Sequence, residues 1–217
     1  LADLVKADAQ PAIALTDTGN LFGALEFSEK MAGAGIQPIA GVSLALDLPE
    51  PAGPRGAIRP KRPRIVLLAQ SEPGWRNLMR LVSRSFLKTA SEDEPRILPD
   101  WLAEAHDGLI ALTGGPAGPI DKALVSGHPE LAAERFDLLA SLFGERLYVE
   151  VQRHDTDAER LAEAGLLELA YAKGVPLVAT NEPFFASKTD YEAHDGLLCI
   201  AEGRLLSEGD RRRLAPE

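Results

Sequence analysis

Short apolar runs alternate with longer amphipathic stretches along this chain of 217 residues. Most of the runs are continuous, which is typical of strands that are covered on both faces. They predict strands at 12–15, 38–46, 65–69, 109–112, 147–151 and 175–179. The amphipathic stretches predict helices at 21–34, 73–88, 118–143 and 156–173. Strands that alternate with helices predict right-handed crossovers and a mostly parallel sheet, either open or closed into a barrel.

In folds of this kind the chemistry lies in the loops at the carboxyl ends of the strands. These loops offer few metal ligands, namely Asp17, His154 and Glu182. A divalent metal site needs at least three convergent donors, and a lone Asp after a strand is more often a turn or capping residue. The Gly-rich turn at 114–118 offers backbone amides to a phosphate, but it matches neither the P-loop nor the dinucleotide fingerprint. We therefore favour a simple strand-to-helix turn there.

Composition narrows the classes of function. The net charge of −10 argues against a generic binder of nucleic acid or anionic membranes, because those surfaces are themselves negative. The single cysteine, Cys199, excludes an intramolecular disulfide framework and fits a reducing cytoplasm. No uncharged apolar run approaches the roughly 20 residues of a membrane span. We expect a cytoplasmic protein that does not enter a membrane.

Two basic features interrupt this acidic chain. The segment 49–64 carries five basic residues against one acid, and it is either a solvated connection between strands or a finger for a phosphate backbone or an acidic partner. The predicted helix at 73–88 carries a basic stripe with a repeat of four residues. That stripe is either a solvated face paired with neighbouring acids or a candidate partner-binding surface. Its members are Arg76, Arg80, Arg84 and Lys88.

Two long motifs carry a family resemblance. PAIALTDTGNLFGALEFSEKMAGAGIQPIAGVSLAL resembles the start of the PHP domain of bacterial replicative DNA polymerase III alpha subunits, and LYVEVQRHDTDAERLAEAGLLELAYAKGVPLVATNEPFFASKTDYEAHDGLLCIAEG resembles its end. The connecting RIVLLAQSEPGWRNLMRLVSRSF also fits, so the resemblance covers essentially the whole chain. It implies a distorted (β/α) barrel of the PHP type, whose first strand we expect to precede this chain. It also implies a PHP domain at 1–203 and a linker at 204–217 toward downstream polymerase modules.

In active members of this family the cleft holds a metal cluster through His, Asp, Glu and Cys side chains. The resemblance places Thr18, Arg64 and Phe184 where histidines are expected. Ser43 falls on an acidic position and Gly115 on a Cys or His. The expected remnant of the cleft is therefore Asp17, Thr18, Asn20, Ser43, Arg64, Gly115, Asn181, Glu182 and Phe184. Because most of these side chains cannot bind a metal, the resemblance implies a degenerate cleft without metal or catalytic residues.

The resemblance further implies that the full-length chain is a DNA-directed DNA polymerase, a nucleotidyltransferase that uses a divalent metal, magnesium. This domain is then expected to be non-catalytic and free of cofactor, to support the polymerase core and to dock the proofreading exonuclease, with DNA bound only through the full-length polymerase. The alternative is an active metal-dependent phosphoesterase or an intrinsic 3'-5' proofreading exonuclease, which needs Asp17, Glu182 and an upstream His-x-His. A stand-alone PHP-like protein is a third hypothesis.

Overall fold

A computed structural model of the chain describes residues 1–51, 61–181 and 183–214. Glu182 and the part of the basic segment that holds Arg55 and Arg59 lie outside these ranges. The described residues form α1 (Ala2–Ala7), β1 (Ala12–Leu15), α2 (Ala24–Gly33), β2 (Gln37–Ala45), β3 (Arg64–Ala69), α3 (Glu72–Leu87), α4 (Pro99–Glu104), β4 (Leu109–Leu112), α5 (Pro119–Val125), α6 (Pro129–Phe143), β5 (Leu147–Val151), α7 (Asp157–Lys173), β6 (Leu177–Ala179) and α8 (Tyr191–Glu202).

The strands form one curled sheet, a half-barrel, in the order β1-β2-β3-β4-β5-β6 within the described ranges. This arrangement confirms the predicted distorted barrel of the PHP type. The pairs β1–β2, β4–β5 and β5–β6 are parallel, whereas β3 runs antiparallel to both β2 and β4. The expectation of a mostly parallel sheet is therefore confirmed in the described ranges, with β3 as the strand that runs the other way. Two helices, α3 and α4, carry the chain away from the end of β3 and back to it, so that Leu109 pairs with Ala69.

Local signals explain where the helices begin and end. Thr156 and Glu159 form a capping box at the start of α7, and the left-handed Gly174 ends that helix. The helix predicted at 118–143 is in fact two helices, α5 and α6. The chain breaks between them because Gly127 has φ +74° and Pro129 opens the next helix.

The main core lies between one face of the sheet and the helices α3, α5, α6 and α7. Because side chains alternate along a strand, Leu44 of β2 and Leu67 of β3 point into this core, where Phe136 of α6 is fully buried. A smaller cluster packs α1 and α2 against β1. The opposite face of the sheet carries Ser43 and Arg64 and is therefore free to form a site. No helix in the described ranges is long and apolar enough to cross a bilayer.

Ionic contacts anchor both ends of the segment that joins β2 to β3. At its start, the buried Arg135 of α6 donates to the carbonyl oxygen of Pro49 at 3.1 Å and pairs with Glu50 at 2.8 Å. At its end, Nζ of Lys122 donates to the carbonyl oxygen of Lys61 at 2.7 Å. Burial lowers the pKa of Lys122, and the nearby acids Glu50 and Glu94 only partly oppose this effect. The described ends of this segment are thus held on α5 and α6.

We predict that Gly74→Ala destabilises the fold by about 1–3 kcal/mol, as overpacking does elsewhere. A Cβ at Gly74, in the first turn of α3, would lie 1.9 Å from the carbonyl oxygen of Gly108. Denaturant unfolding measures the change in the free energy of unfolding. The matched control is Gly33→Ala at the end of α2, where a Cβ meets nothing within 4 Å. Equal stability of the two variants would contradict the tight contact between α3 and the turn before β4.

Candidate functional site

The candidate site lies at the end of the sheet where the parallel strands finish. Because β3 runs antiparallel, its first residue, Arg64, pairs with Ala45 at the end of β2. Arg64 therefore lies with the strand-end residues of β1 and β2.

The guanidinium of Arg64 is held by three hydrogen bonds. Its Nη2 donates to the carbonyl oxygen of Ser43 at 2.8 Å, and its Nε donates to the Ser43 hydroxyl at 3.3 Å. Its Nη1 donates to Oε1 of Glu94 at 2.8 Å. The Arg64 side chain is 18% exposed, so a fixed positive charge with one acidic partner lies at this edge of the sheet.

The loop after β1 packs against the same strand. The amide of Ser43 donates to the carbonyl oxygen of Asp17 at 3.0 Å, and Thr18 forms an isolated parallel bridge with Ser43. Asn20 closes the turn through hydrogen bonds to the neighbouring backbone. The structure therefore brings Asp17, Thr18, Ser43 and Arg64 together, while Asn20 shapes the loop.

A buried acid links the ends of β4, β5 and β6. Oε1 of Glu150 accepts from the Thr180 hydroxyl at 2.5 Å and from Nε2 of Gln152 at 3.2 Å. Its Oε2 accepts from the amide of Gly114 at 3.0 Å. The residue is 5% exposed, and its oxygens are occupied by protein donors. Our sequence analysis missed Glu150, although an acid within the apolar run 147–151 was a usable signal.

The Gly-rich turn is a structural turn whose geometry requires glycine. Gly114 has φ +89°, and a Cβ there would lie 2.0 Å from the carbonyl oxygen of Arg64. Gly115 has φ +50°, and a Cβ there would meet the Gln152 amide at 3.0 Å. Since the Gly114 amide already donates to Glu150, these contacts favour the simple turn over a phosphate seat.

His154, which follows β5, and Asn181, which follows β6, form a second polar group. Nδ1 of His154 lies 2.8 Å from Oε1 of Glu159, and its Nε2 lies 2.5 Å from Oδ1 of Asn181. Burial raises the pKa of Glu159, but hydrogen bonds from Thr156 and His154 outweigh it and hold this pKa below its usual value. Asn181 is thus engaged by a histidine side chain, and its neighbour Glu182 lies outside the described residues.

Phe184 contacts a different part of the structure. Its ring centroid lies 5.4 Å from that of His194 in α8, and the Phe185 ring is tilted against the same histidine, with the centroids 5.6 Å apart. The side chain is 43% exposed. Phe184 therefore belongs to an aromatic contact that seats the start of α8.

The donors gathered at this edge do not fit a divalent metal. Neutral hydroxyls from Thr18 and Ser43 are weak ligands in comparison with imidazole or carboxylate, and the Arg64 guanidinium repels a cation. Among the described residues, no group of three or more His, Cys, Asp and Glu is arranged to hold a metal ion. The described contacts at this edge are hydrogen bonds that join the strands and the loop after β1.

The basic stripe of α3 is matched by acids on the same surface. Arg76 pairs with Glu72 of its own helix, and Glu104 of α4 lies 2.5 Å from Arg84 and 3.8 Å from Arg80. The Arg84 guanidinium also lies over the Trp101 ring, 4.3 Å from its centroid. Lys88 is exposed at the end of the helix. This geometry favours the solvated, acid-paired face, and partner binding by the stripe stays a prediction.

The fold is that of a known class. Residues 1–154 match the family described as PHP domain, which is more than half of the chain. The chain therefore belongs to the PHP domain family.

More particularly, the chain is similar to proteins named DNA polymerase III subunit alpha. It is 42% identical to the Caulobacter vibrioides protein over 207 residues, and this alignment covers 95% of this chain and 18% of the relative. The Pseudomonas aeruginosa protein is 39% identical over 215 residues, covering 98% and 18%, and the Treponema pallidum protein is 36% identical over 214 residues, covering 97% and 18%. The chain thus spans less than a fifth of these relatives.

Asp121, in the first turn of α5, is a buried acid near the site. It is 4% exposed, and its Oδ2 has no hydrogen-bond partner among the described residues. Burial raises its pKa to about 7, and the negative charges of Glu150 and Glu159 add to this effect. The folded protein therefore binds a proton at Asp121 more tightly than the unfolded chain does.

We predict that the free energy of unfolding falls by roughly 2–4 kcal/mol as the pH rises from about 4 to about 7 because of Asp121. The unfolded chain loses this proton near the ordinary value of 3.8, whereas the folded chain keeps it until about 7. Denaturant unfolding of Asp121→Asn at several pH values should show that this decrease is absent. The exposed Asp100→Asn should keep the wild-type pH dependence. Identical pH profiles for the two variants would overturn the assignment.

Proposed function

We propose that this chain is the PHP domain of a DNA polymerase III alpha subunit and that the domain itself is not a phosphoesterase. The observation that supports the lack of phosphoesterase activity is the position of Arg64. Its guanidinium hydrogen-bonds Ser43 at the edge where a metal cluster would bind. Ion pairing with Glu94 compensates this charge without any metal.

The chemistry of the remaining residues supports the same conclusion. A hydrolytic metal centre needs ligands that stay deprotonated and an open position for water. Thr18 and Ser43 supply hydroxyls, and Gly115 supplies no side chain. Both carboxylate oxygens of Glu150 already accept hydrogen bonds from protein donors. Among the described residues of the expected cleft remnant, only Asp17 retains a carboxylate, and one carboxylate is too few for a metal cluster.

The activity that we propose for the complete polypeptide is template-directed DNA synthesis in the cytoplasm. The name of the relatives, DNA polymerase III subunit alpha, supports it, and the chain covers only 18% of the Caulobacter vibrioides protein. Nucleotidyl transfer, with its divalent metal, magnesium, would reside in modules outside this chain. The PHP domain would support those modules and dock the proofreading exonuclease, a role that suits an acidic chain of net charge −10 better than direct binding of DNA.

We predict that the purified full-length polypeptide holds no stoichiometric zinc or manganese in this domain and releases no phosphate from a mononucleotide or a DNA end. Elemental analysis after desalting and a phosphate-release assay measure these two properties. The decisive control is Asp17→Ala. If metal is bound, phosphate is released and both are lost in Asp17→Ala, the domain is an active phosphoesterase and the proposal is wrong.

We predict that reversing the charges of Arg76, Arg80 and Arg84 to Glu lowers the affinity for the proofreading exonuclease by about tenfold, a cost of about 1.4 kcal/mol. Titration calorimetry with the full-length polypeptide measures the dissociation constant. The matched control reverses Arg153 and Arg160, which are also exposed and paired with acids on α7 or its preceding loop. Equal affinities of the two variants and the wild type would remove the α3 stripe from the docking surface.

A further inference from the structure

Helix α8 presents an uncovered apolar face. Ala193, Leu197, Ile200 and Ala201 follow the spacing i, i+4, i+7 and i+8, which places them on one side of a helix. Leu197 is 62% exposed and Ile200 is 79% exposed. Leu205 and Leu206, directly after the helix, are also exposed, so large apolar side chains are concentrated in this short part of the chain. We call these six residues the α8 face.

The described C-terminal segment, up to residue 214, does not cover this face. Arg211 makes a bidentate ion pair with Asp195, and its side chain is 3% exposed. In a helix, Asp195 lies about 160° around the axis from Leu197 in one sense and about 140° from Ile200 in the other. The C-terminal segment is therefore anchored on the opposite side of α8.

α8 is also weakly attached to the rest of the domain. Within the described ranges, the only helix or strand with which it has extensive contact is the 3-10 turn Lys188–Asp190 just before it. A helix of 12 residues is marginal in water unless its apolar face is packed. Contiguous exposed apolar residues on a soluble domain mark an interaction surface.

We propose that the α8 face packs against a polymerase module of the same polypeptide. This inference rests on the proposed function and adds the surface through which the domain joins the polymerase. The chain spans 18% of the Caulobacter vibrioides relative, so most of such a polypeptide lies outside it. Covalent attachment gives those modules a high effective concentration at α8. The α8 face carries no charge, as is typical of permanent contacts, whereas transient docking surfaces are more polar.

The test introduces one cysteine at a time into the full-length polypeptide with Cys199 replaced by Ala, labels it with a maleimide and follows each site by peptide mass spectrometry. Leu197→Cys on the α8 face is compared with Leu161→Cys on α7, because Leu161 is 66% exposed and Leu197 62%. We expect Leu197→Cys to react at least about tenfold more slowly than Leu161→Cys, since local opening must precede reaction at a packed site. Ile200→Cys provides a second probe should Leu197→Cys fold poorly.

Each outcome decides the inference. Slow labelling that is independent of protein concentration supports packing against the same chain. Equal labelling of both sites overturns it. Protection that is lost on dilution assigns the α8 face to a second copy, and protection that needs added exonuclease assigns it to that subunit; both also overturn it. Primer extension by the same preparation tests the proposed function separately, because an active polymerase with an unprotected α8 contradicts only the inference.

Discussion

The antiparallel pairing of β3 with β2 and β4 places Arg64 among the ends of parallel strands. From there its guanidinium reaches Ser43 and Glu94, and its carbonyl oxygen leaves space only for glycine at position 114. That glycine in turn donates its amide to Glu150. One strand direction therefore determines the contacts along most of the site edge, from the loop after β1 to the end of β5.

Fixed protein groups fasten this edge of the sheet. Glu150 joins three strand ends through hydroxyl, amide and backbone donors, and such charge-assisted hydrogen bonds are strong when they are buried. The same acid raises the pKa of Asp121 nearby, so the fastening has an electrostatic cost. An edge arranged this way gains rigidity, because the oxygens of its buried acid accept from fixed protein donors.

Hydrophobic periodicity predicted the six strands and most of the helices, because continuous apolar runs and amphipathic stretches are local features. It did not predict the direction of β3, since an apolar run such as 65–69 reads the same in either direction. The Gly127 and Pro129 signal for a helix break was present but outweighed by the amphipathic pattern. Family resemblance located Ser43 and Arg64. The resemblance did not indicate Glu150, because its hydrogen-bond partners Gly114 and Thr180 are 36 and 30 residues away in the chain.

The anchors at Arg135 and Lys122 have a consequence for how this family can vary. A segment whose two ends are fixed can lengthen at small entropic cost, roughly 0.6 kcal/mol for each doubling of its length. The connection between β2 and β3 leaves the sheet beside the cleft, with Pro49 held on α6 and Lys61 held on α5. By this estimate, lengthening that connection would cost the fold little free energy.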